Sequence, residues 1–297
     1  MICFSLKFAS RNVANNDMRK RKLMKVLRNL MPVTGLAVVT ALVAGCANEN
    51  NVKTTNTAAP SQPTAVASGQ AIPRIITNGQ LWELEGDYPN PLVNPQTLVF
   101  VPLQAKYVSP NGNGWRHEYK IEKDSRVAMT DTKEVFKADV KVDMSTGGKT
   151  IIAQHHAGGL GTIMKVYVSD SSESGFMDSQ ASNGIFDVYV RLRNTSGVEE
   201  KFALGTIRSG GSFSLSVENT YGVVRVSAFG KSFGIRVEDD AASYLKFGNY
   251  LQSQNPDGNA KCGVKGVSSS FAKCYAGFGI TESKVTMTNV SYTRSTR

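Results

Sequence analysis

The 297-residue chain carries 34 Lys or Arg against 24 Asp or Glu, a formal charge of +10 at pH 7, with 41% apolar and 20% charged residues. That balance excludes a disordered or collagen-like chain, and the length suffices for one large or two ordinary domains. Eight basic residues (Lys7, Arg11, Arg19, Lys20, Arg21, Lys22, Lys25, Arg28) precede residue 47 with only Asp17 against them, so most of the excess charge sits in the leading segment. It therefore implies no basic face for nucleic acid.

The basic run ending at Arg28 is followed by an apolar stretch from Leu30 to Val43, broken by Pro32, Thr34, Gly35 and Thr40, and then by Ala44, Gly45 and Cys46. This order predicts a secretory signal over residues 1–46, too short for a comfortable membrane span, and Met24 offers a start of ordinary length. The stretch Leu42-Val43-Ala44-Gly45-Cys46 resembles the bacterial lipobox, in which cleavage falls before a lipidated cysteine. Cys46 is then the first residue of the mature chain and its only membrane anchor. Ala47 and Asn48 lack the aspartate that favours inner-membrane retention, so an outer-membrane lipoprotein, periplasmic or surface-facing, or else a secreted protein, is expected in the bacterial cell envelope. Residues 47–72 are rich in Asn, Thr, Ala, Ser, Gln and Pro and contain no aromatic residue, which predicts a flexible linker. The folded part is expected over residues 73–297.

From Leu98 onward short alternating runs are separated by Gly, Ser, Asn and Asp clusters. Strands are predicted over Leu98–Leu103, Trp115–Ile121, Val135–Met144, Thr150–His156, Thr162–Val168, Ile185–Arg193, Ser212–Val217, Val223–Phe229, Phe233–Val237 and Lys284–Thr293. No stretch shows a long 3.6-residue period and no repeat of fixed length is visible. The reading is an all-β chain, a two-sheet antiparallel sandwich of jelly-roll type with a concave groove. The glycines of His156-Ala157-Gly158-Gly159-Leu160-Gly161 lead into a strand and not a helix, so they mark a hairpin and not a phosphate cradle. Once Cys3 and Cys46 are set aside, Cys262 and Cys274 remain, and an exported chain allows them to form a disulfide. With three histidines in all, a structural metal is not expected.

Three segments place polar residues inside strand patterns. In Trp115-Arg116-His117-Glu118-Tyr119-Lys120 the period of two puts Arg116, Glu118 and Lys120 on one face and His117 and Tyr119 on the other. In Gln154-His155-His156 the same rule groups Gln154 with His156. In Tyr244-Leu245-Lys246-Phe247-Gly248-Asn249-Tyr250, extended throughout, Tyr244, Lys246 and Tyr250 align, and Gln252 follows two residues on. In this order the three segments resemble the motifs of the alginate lyases of polysaccharide lyase family 7: Arg-x-Glu-x-Arg, Gln-Ile/Val-His and Tyr-Phe-Lys-x-Gly-x-Tyr. Two positions depart from that pattern, Lys120 for the second arginine and His155 for the aliphatic residue associated with block preference.

The resemblance implies β-elimination on an anionic 1,4-linked polyuronate, alginate above all, by a monomer needing no metal or organic cofactor. The residue chemistry agrees. The C5 proton of a uronate is feebly acidic until its carboxylate is neutralised, a task for Arg116 and Gln154. His156 is then suited to take the proton, and Tyr250 to give one to the departing oxygen, or to do both for the opposite C5 configuration. Glu118 is expected to orient Arg116. Glu118, Lys120, Tyr244, Lys246 and Gln252 are expected to bind the substrate chain. His117 and His155 should lie in the core, neutral and hydrogen-bonded. A lyase for another polyuronate such as glucuronan, or a non-catalytic carbohydrate-binding sandwich, would use the same groove. A glycoside hydrolase would need a second carboxylate beside Glu118, and the motif strands offer none.

Overall fold

Alternation of side chains along strands builds this molecule, and β5 (Thr132–Met144) shows it most plainly. Its odd-placed side chains, Thr132, Glu134, Phe136, Ala138, Val140, Val142 and Met144, are all buried, while the residues between them are more exposed. The structure is a computed structural model and describes residues 81–172, 177–178 and 180–297. The expected signal segment, Cys46 and the linker lie outside the described residues.

The described strands form two seven-stranded antiparallel sheets. The first has the order β1 (Trp82–Glu85), β4 (Arg116–Ile121), β13 (Tyr244–Leu251), β6 (Lys149–Ala157), β7 (Gly161–Ser169), β8 (Phe186–Arg193) and β9 (Glu199–Ile207). The second runs β12 (Lys231–Arg236), β11 (Val223–Ala228), β10 (Ser212–Thr220), β5, β14 (Ser283–Thr296), β3 (Thr97–Phe100) and β2 (Leu92–Asn94). The sandwich expected from the sequence is therefore present.

Three expectations are corrected. The strand predicted over Leu98–Leu103 ends at Phe100, because Pro102 opens a single helical turn, α1 (Pro102–Ala105). The short strands β1 and β2 and the polar-fronted β9 were not expected. A ten-residue helix, α2 (Ser268–Gly277), lies where no helical period was read; it buries Phe271, Cys274 and Tyr275, a spacing of three and four that is too brief to stand out. Cys274 on this helix is bonded to Cys262, as expected.

Between the sheets Phe247 of β13 occupies the centre. Its ring centroid lies 5.0 Å from that of Trp82, 6.0 Å from Phe100, 5.8 Å from Tyr119 and 4.9 Å from Phe136. The interior also holds polar groups, two histidines among them. His117 accepts the Val101 N–H at Nδ1 (2.9 Å), and burial pushes its pKa down to about 4, so it is neutral. His155 reaches across to Glu134 of the other sheet at 3.1 Å, and Glu134 also accepts from Tyr292 (2.7 Å). Both histidines are in the core, as the strand rule requires. Because Phe247 joins both sheets and backs the strand that carries Lys246 and Tyr250, Phe247→Ala is expected to cost about 3–5 kcal/mol in denaturant unfolding.

Candidate active site

The outward face of the first sheet carries the polar residues of all three sequence segments, and strand pairing aligns them in rows. One row crosses five strands as Lys120, Lys246, Gln154, Lys165 and Arg191, each directly opposite the next. A second row comprises Arg116, Tyr250, Ile151, Tyr167 and Tyr189. On the outer side of the first row, Tyr244 stands opposite His156.

Two irregularities make this alignment possible. Along β6 both Ile152 and Ala153 belong to the core, so the register shift between Ile151 and Ala153 lets Ile151 and Gln154 share the outward face although three positions apart. On β13 the pairing with β6 shifts between Phe247 and Tyr250, although the segment is one extended strand, as expected, and keeps its register with β4. Gly248 sits in this bulge at φ +143°, and a Cβ there would come within 2.5 Å of the His117 carbonyl oxygen and 2.7 Å of Glu118 Cα. No other residue fits so close to β4.

Beneath the face lies a network of opposite charges. Glu118 is fully buried; its Oε1 accepts from Gln154 Nε2 at 2.7 Å, and its Oε2 lies 3.4 Å from Arg116 Nη1 and 3.8 Å from Lys246 Nζ. It was expected to touch substrate and orient Arg116, but it works from below and fixes Gln154 as well. Lys246 is also buried, paired with Glu85 and facing Glu118. Its ammonium is committed to the protein and is not a free hand for a distant substrate carboxylate. Lys120 is paired with Glu83 (2.8 Å) and Glu85 (3.3 Å) on the neighbouring strand.

Glu85 is the functional residue that the sequence reading missed. It gives Glu118 the acidic neighbour thought absent, yet both carboxylates are taken up by cations. Burial would raise the Glu85 pKa, but Lys246, Arg116 and Lys120 outweigh it and hold the group at about 2. Glu118 is pushed upward by its burial, against the pull of Lys246 and Arg116. The signal for Glu85 was the alternation Glu83-x-Glu85 in a four-residue strand.

Above the network Arg116, Gln154, His156 and Tyr250 face a groove of about 620 Å³. Six cations line it, Arg116, Lys149, Lys165, Arg191, Lys246 and Lys261, and Glu85 is the one carboxylate among its described lining residues. Arg116 lies 3.7 Å from the Tyr250 ring centroid, and the Tyr250 hydroxyl oxygen accepts the Asn113 N–H at 2.7 Å. The His156 ring is stacked on Tyr244, with centroids 5.4 Å apart, and Arg126 lies 3.7 Å from the Tyr244 centroid. His156 Nδ1 is 3.3 Å from the Ala157 carbonyl, which can only accept, so Nδ1 carries the hydrogen and Nε2 keeps its lone pair. Gln252 also lines the groove, its amide donating to the Tyr250 carbonyl at 3.1 Å.

A sandwich bearing such a groove suits a chain of negatively charged sugars and is the architecture of a polysaccharide lyase. A family model described as alginate lyase matches residues 84–294, and the chain belongs to that family. It is similar to the solved alginate lyase from Alteromonas sp. 272, with 68% identity over 77% of this chain and all of that one and a TM-score of 0.75. It is also similar to the lyase aly-SJ02, with 69% identity over 74% of this chain and 97% of that one and a TM-score of 0.73. That structure is described as polysaccharide lyase family 18 whereas the motifs resemble family 7, and the two agree at the level of polysaccharide lyase. No curated protein matches the chain.

Burial, then the charges of Lys246 and Arg116, lower the His156 pKa from 6.5 to about 4. The imidazole is thus neutral and able to accept a proton at any pH above that value, and loses this ability only as pH falls through it. The acid limb of the kcat/KM profile on the substrate for which His156 is the base is expected near pH 4 rather than near 6.5.

Proposed function

We propose that the chain cleaves 1,4-linked polyuronate, with alginate as the first substrate to test, by β-elimination that leaves a 4,5-unsaturated uronate end. The observation that carries this reading is the joint fixing of Arg116 and Gln154 by one buried carboxylate, with His156 and Tyr250 facing the same groove. Arg116 and the second N–H of the Gln154 amide are the donors for the substrate carboxylate. Because Glu118 pre-sets both, little reorganisation is needed as charge spreads onto that carboxylate.

His156 Nε2 then takes the C5 proton. The C5–H electron pair becomes the C4–C5 double bond, the C4–O4 bond breaks, and O4 takes the phenolic proton of Tyr250. For the epimer whose C5 proton lies on the side of the leaving group, Tyr250 serves both steps: its phenolic proton first passes to solvent, the phenolate takes the C5 proton, and that proton is then given to O4 as the C4–O4 bond breaks. The remaining groove cations hold neighbouring uronates, and Lys120 and Lys246 contribute by keeping Glu85 and Glu118 ionically satisfied. Tyr250→Phe keeps the ring beneath Arg116 but removes the proton donor, and kcat is expected to fall about 10²- to 10⁴-fold on alginate. The readout is ultraviolet absorbance of the unsaturated product, and an unchanged kcat would remove Tyr250 from the mechanism.

The same reading places the enzyme in the bacterial cell envelope, tethered through lipidated Cys46 and the 47–72 linker, as a monomer on the outer membrane. Its support is the order of basic run, apolar run and small residues before Cys46. Cys46→Ser is expected to release soluble protein or leave an unprocessed precursor, seen by membrane fractionation and mass of the mature chain.

A further inference from the structure

We propose that the backbone N–H of Asn113 is a positioning group for proton transfer by Tyr250, and that the Cys262–Cys274 disulfide braces it. The inference rests on the reading of Tyr250 as proton donor. Tyr250 and Asn113 are distant in sequence, yet the Asn113 N–H points at the phenolic oxygen at 2.7 Å. The same residue's carbonyl accepts the Ser253 N–H at 2.9 Å, and the Ser253 carbonyl accepts the Cys262 N–H at 3.0 Å. Cys262 is covalently joined to Cys274 on α2. An unbroken line of three hydrogen bonds thus leads from the disulfide to the phenol.

The surroundings hold this line from both sides. The Gly112 carbonyl accepts the Gly266 N–H at 3.1 Å, joining the Asn113 turn to the loop that the disulfide closes. Tyr275, the residue after Cys274, donates its hydroxyl to the Leu251 carbonyl (2.9 Å) and accepts the Trp115 N–H (3.1 Å). Gly114 lies between, at φ +155°, where a Cβ would stand 2.0 Å from the Leu251 carbonyl oxygen. The chain can approach β13 this closely only through glycine, and the approach is what brings Asn113 to Tyr250.

The chemical consequence follows from the direction of the bond. An oxygen that accepts the Asn113 N–H must send its own hydrogen elsewhere, which leaves that hydrogen for the groove. As the proton passes to O4, the O–H bond of Tyr250 breaks and its electron pair stays on the phenolic oxygen. A hydrogen bond to an anionic oxygen is about twice as strong as one to a neutral oxygen, so the Asn113 N–H stabilises the transition state more than the ground state. Its loss should therefore lower kcat and leave KM nearly unchanged.

The direct test replaces Asn113 by its α-hydroxy acid, which exchanges the amide N–H for an ester oxygen and keeps the side chain. On alginate the ester protein is expected to lose about tenfold or more in kcat with KM within about twofold. Combined with Tyr250→Phe, the ester should cause no further loss. The pair Cys262→Ser/Cys274→Ser should show a smaller drop in kcat of about threefold, since the brace is loosened and not the donor removed. A wild-type kcat in the ester protein, a loss confined to KM, or full additivity with Tyr250→Phe would each overturn the inference. If Tyr250→Phe abolishes turnover while the ester does not, the proton-donor reading stands and this inference falls. If Tyr250→Phe itself keeps turnover, the proton-donor reading falls; the Asn113 amide proton resonance then decides whether the bond exists, by whether it moves upfield in that variant.

Discussion

A carboxylate cut off from water must be surrounded by donors or cations, and Glu118 imposes that demand on the centre of this molecule. It is met by Arg116 from the same strand, by Lys246 from the neighbouring strand and by Gln154 from the strand beyond that. Lys246 in turn requires a second anion, which Glu85 supplies, and Glu85 draws in Lys120. Each partner limits the rotamers of the next. The Arg116 guanidinium and the Gln154 amide are thus held by the protein's own electrostatics.

The central strand β13 carries both obligations at once. Leu245, Phe247 and Leu251 face the core, Asn249 is buried and donates to the Phe100 carbonyl and to Ser283, while Lys246 and Tyr250 belong to the groove side. A change in packing beneath the groove is therefore felt above it through a single pleat. The Gly248 bulge belongs to the same compromise, since it resets the register with β6 without disturbing that with β4.

How much of this could be read in advance differs from residue to residue. The period of two correctly divided Arg116 and Glu118 from His117 and Tyr119, because strand geometry alone determines which side chains share a face. It also put Gln154 with His156 and turned His155 inward. Depth was not legible: the same alternation holds whether Glu118 is solvated or sealed, and only the covering by Lys246 and Arg116 decides. Glu85 escaped notice because its meaning comes from pairing with Glu118 across β1 and β4, a contact between segments that local pattern does not connect. The register shift in β6 was likewise invisible, as was the helix that carries Cys274. The Asn113 N–H leaves no trace in side-chain chemistry at all, being a backbone group placed by a turn.

The row running from Lys120 to Arg191 has one more property. Neighbouring strands are held about 4.8 Å apart by their hydrogen bonds, so the row is a scale whose graduations are set by the peptide backbone and span roughly 19 Å over its five strands. A polymer laid across the strands meets one residue of this row per graduation. Substitution can change the sign or strength of any mark, turning an amide into a cation or a cation into a hydroxyl, but it cannot change the interval between marks. An evolving enzyme on this sheet can thus rewrite what each position reads, while the pitch at which it reads remains a property of the fold.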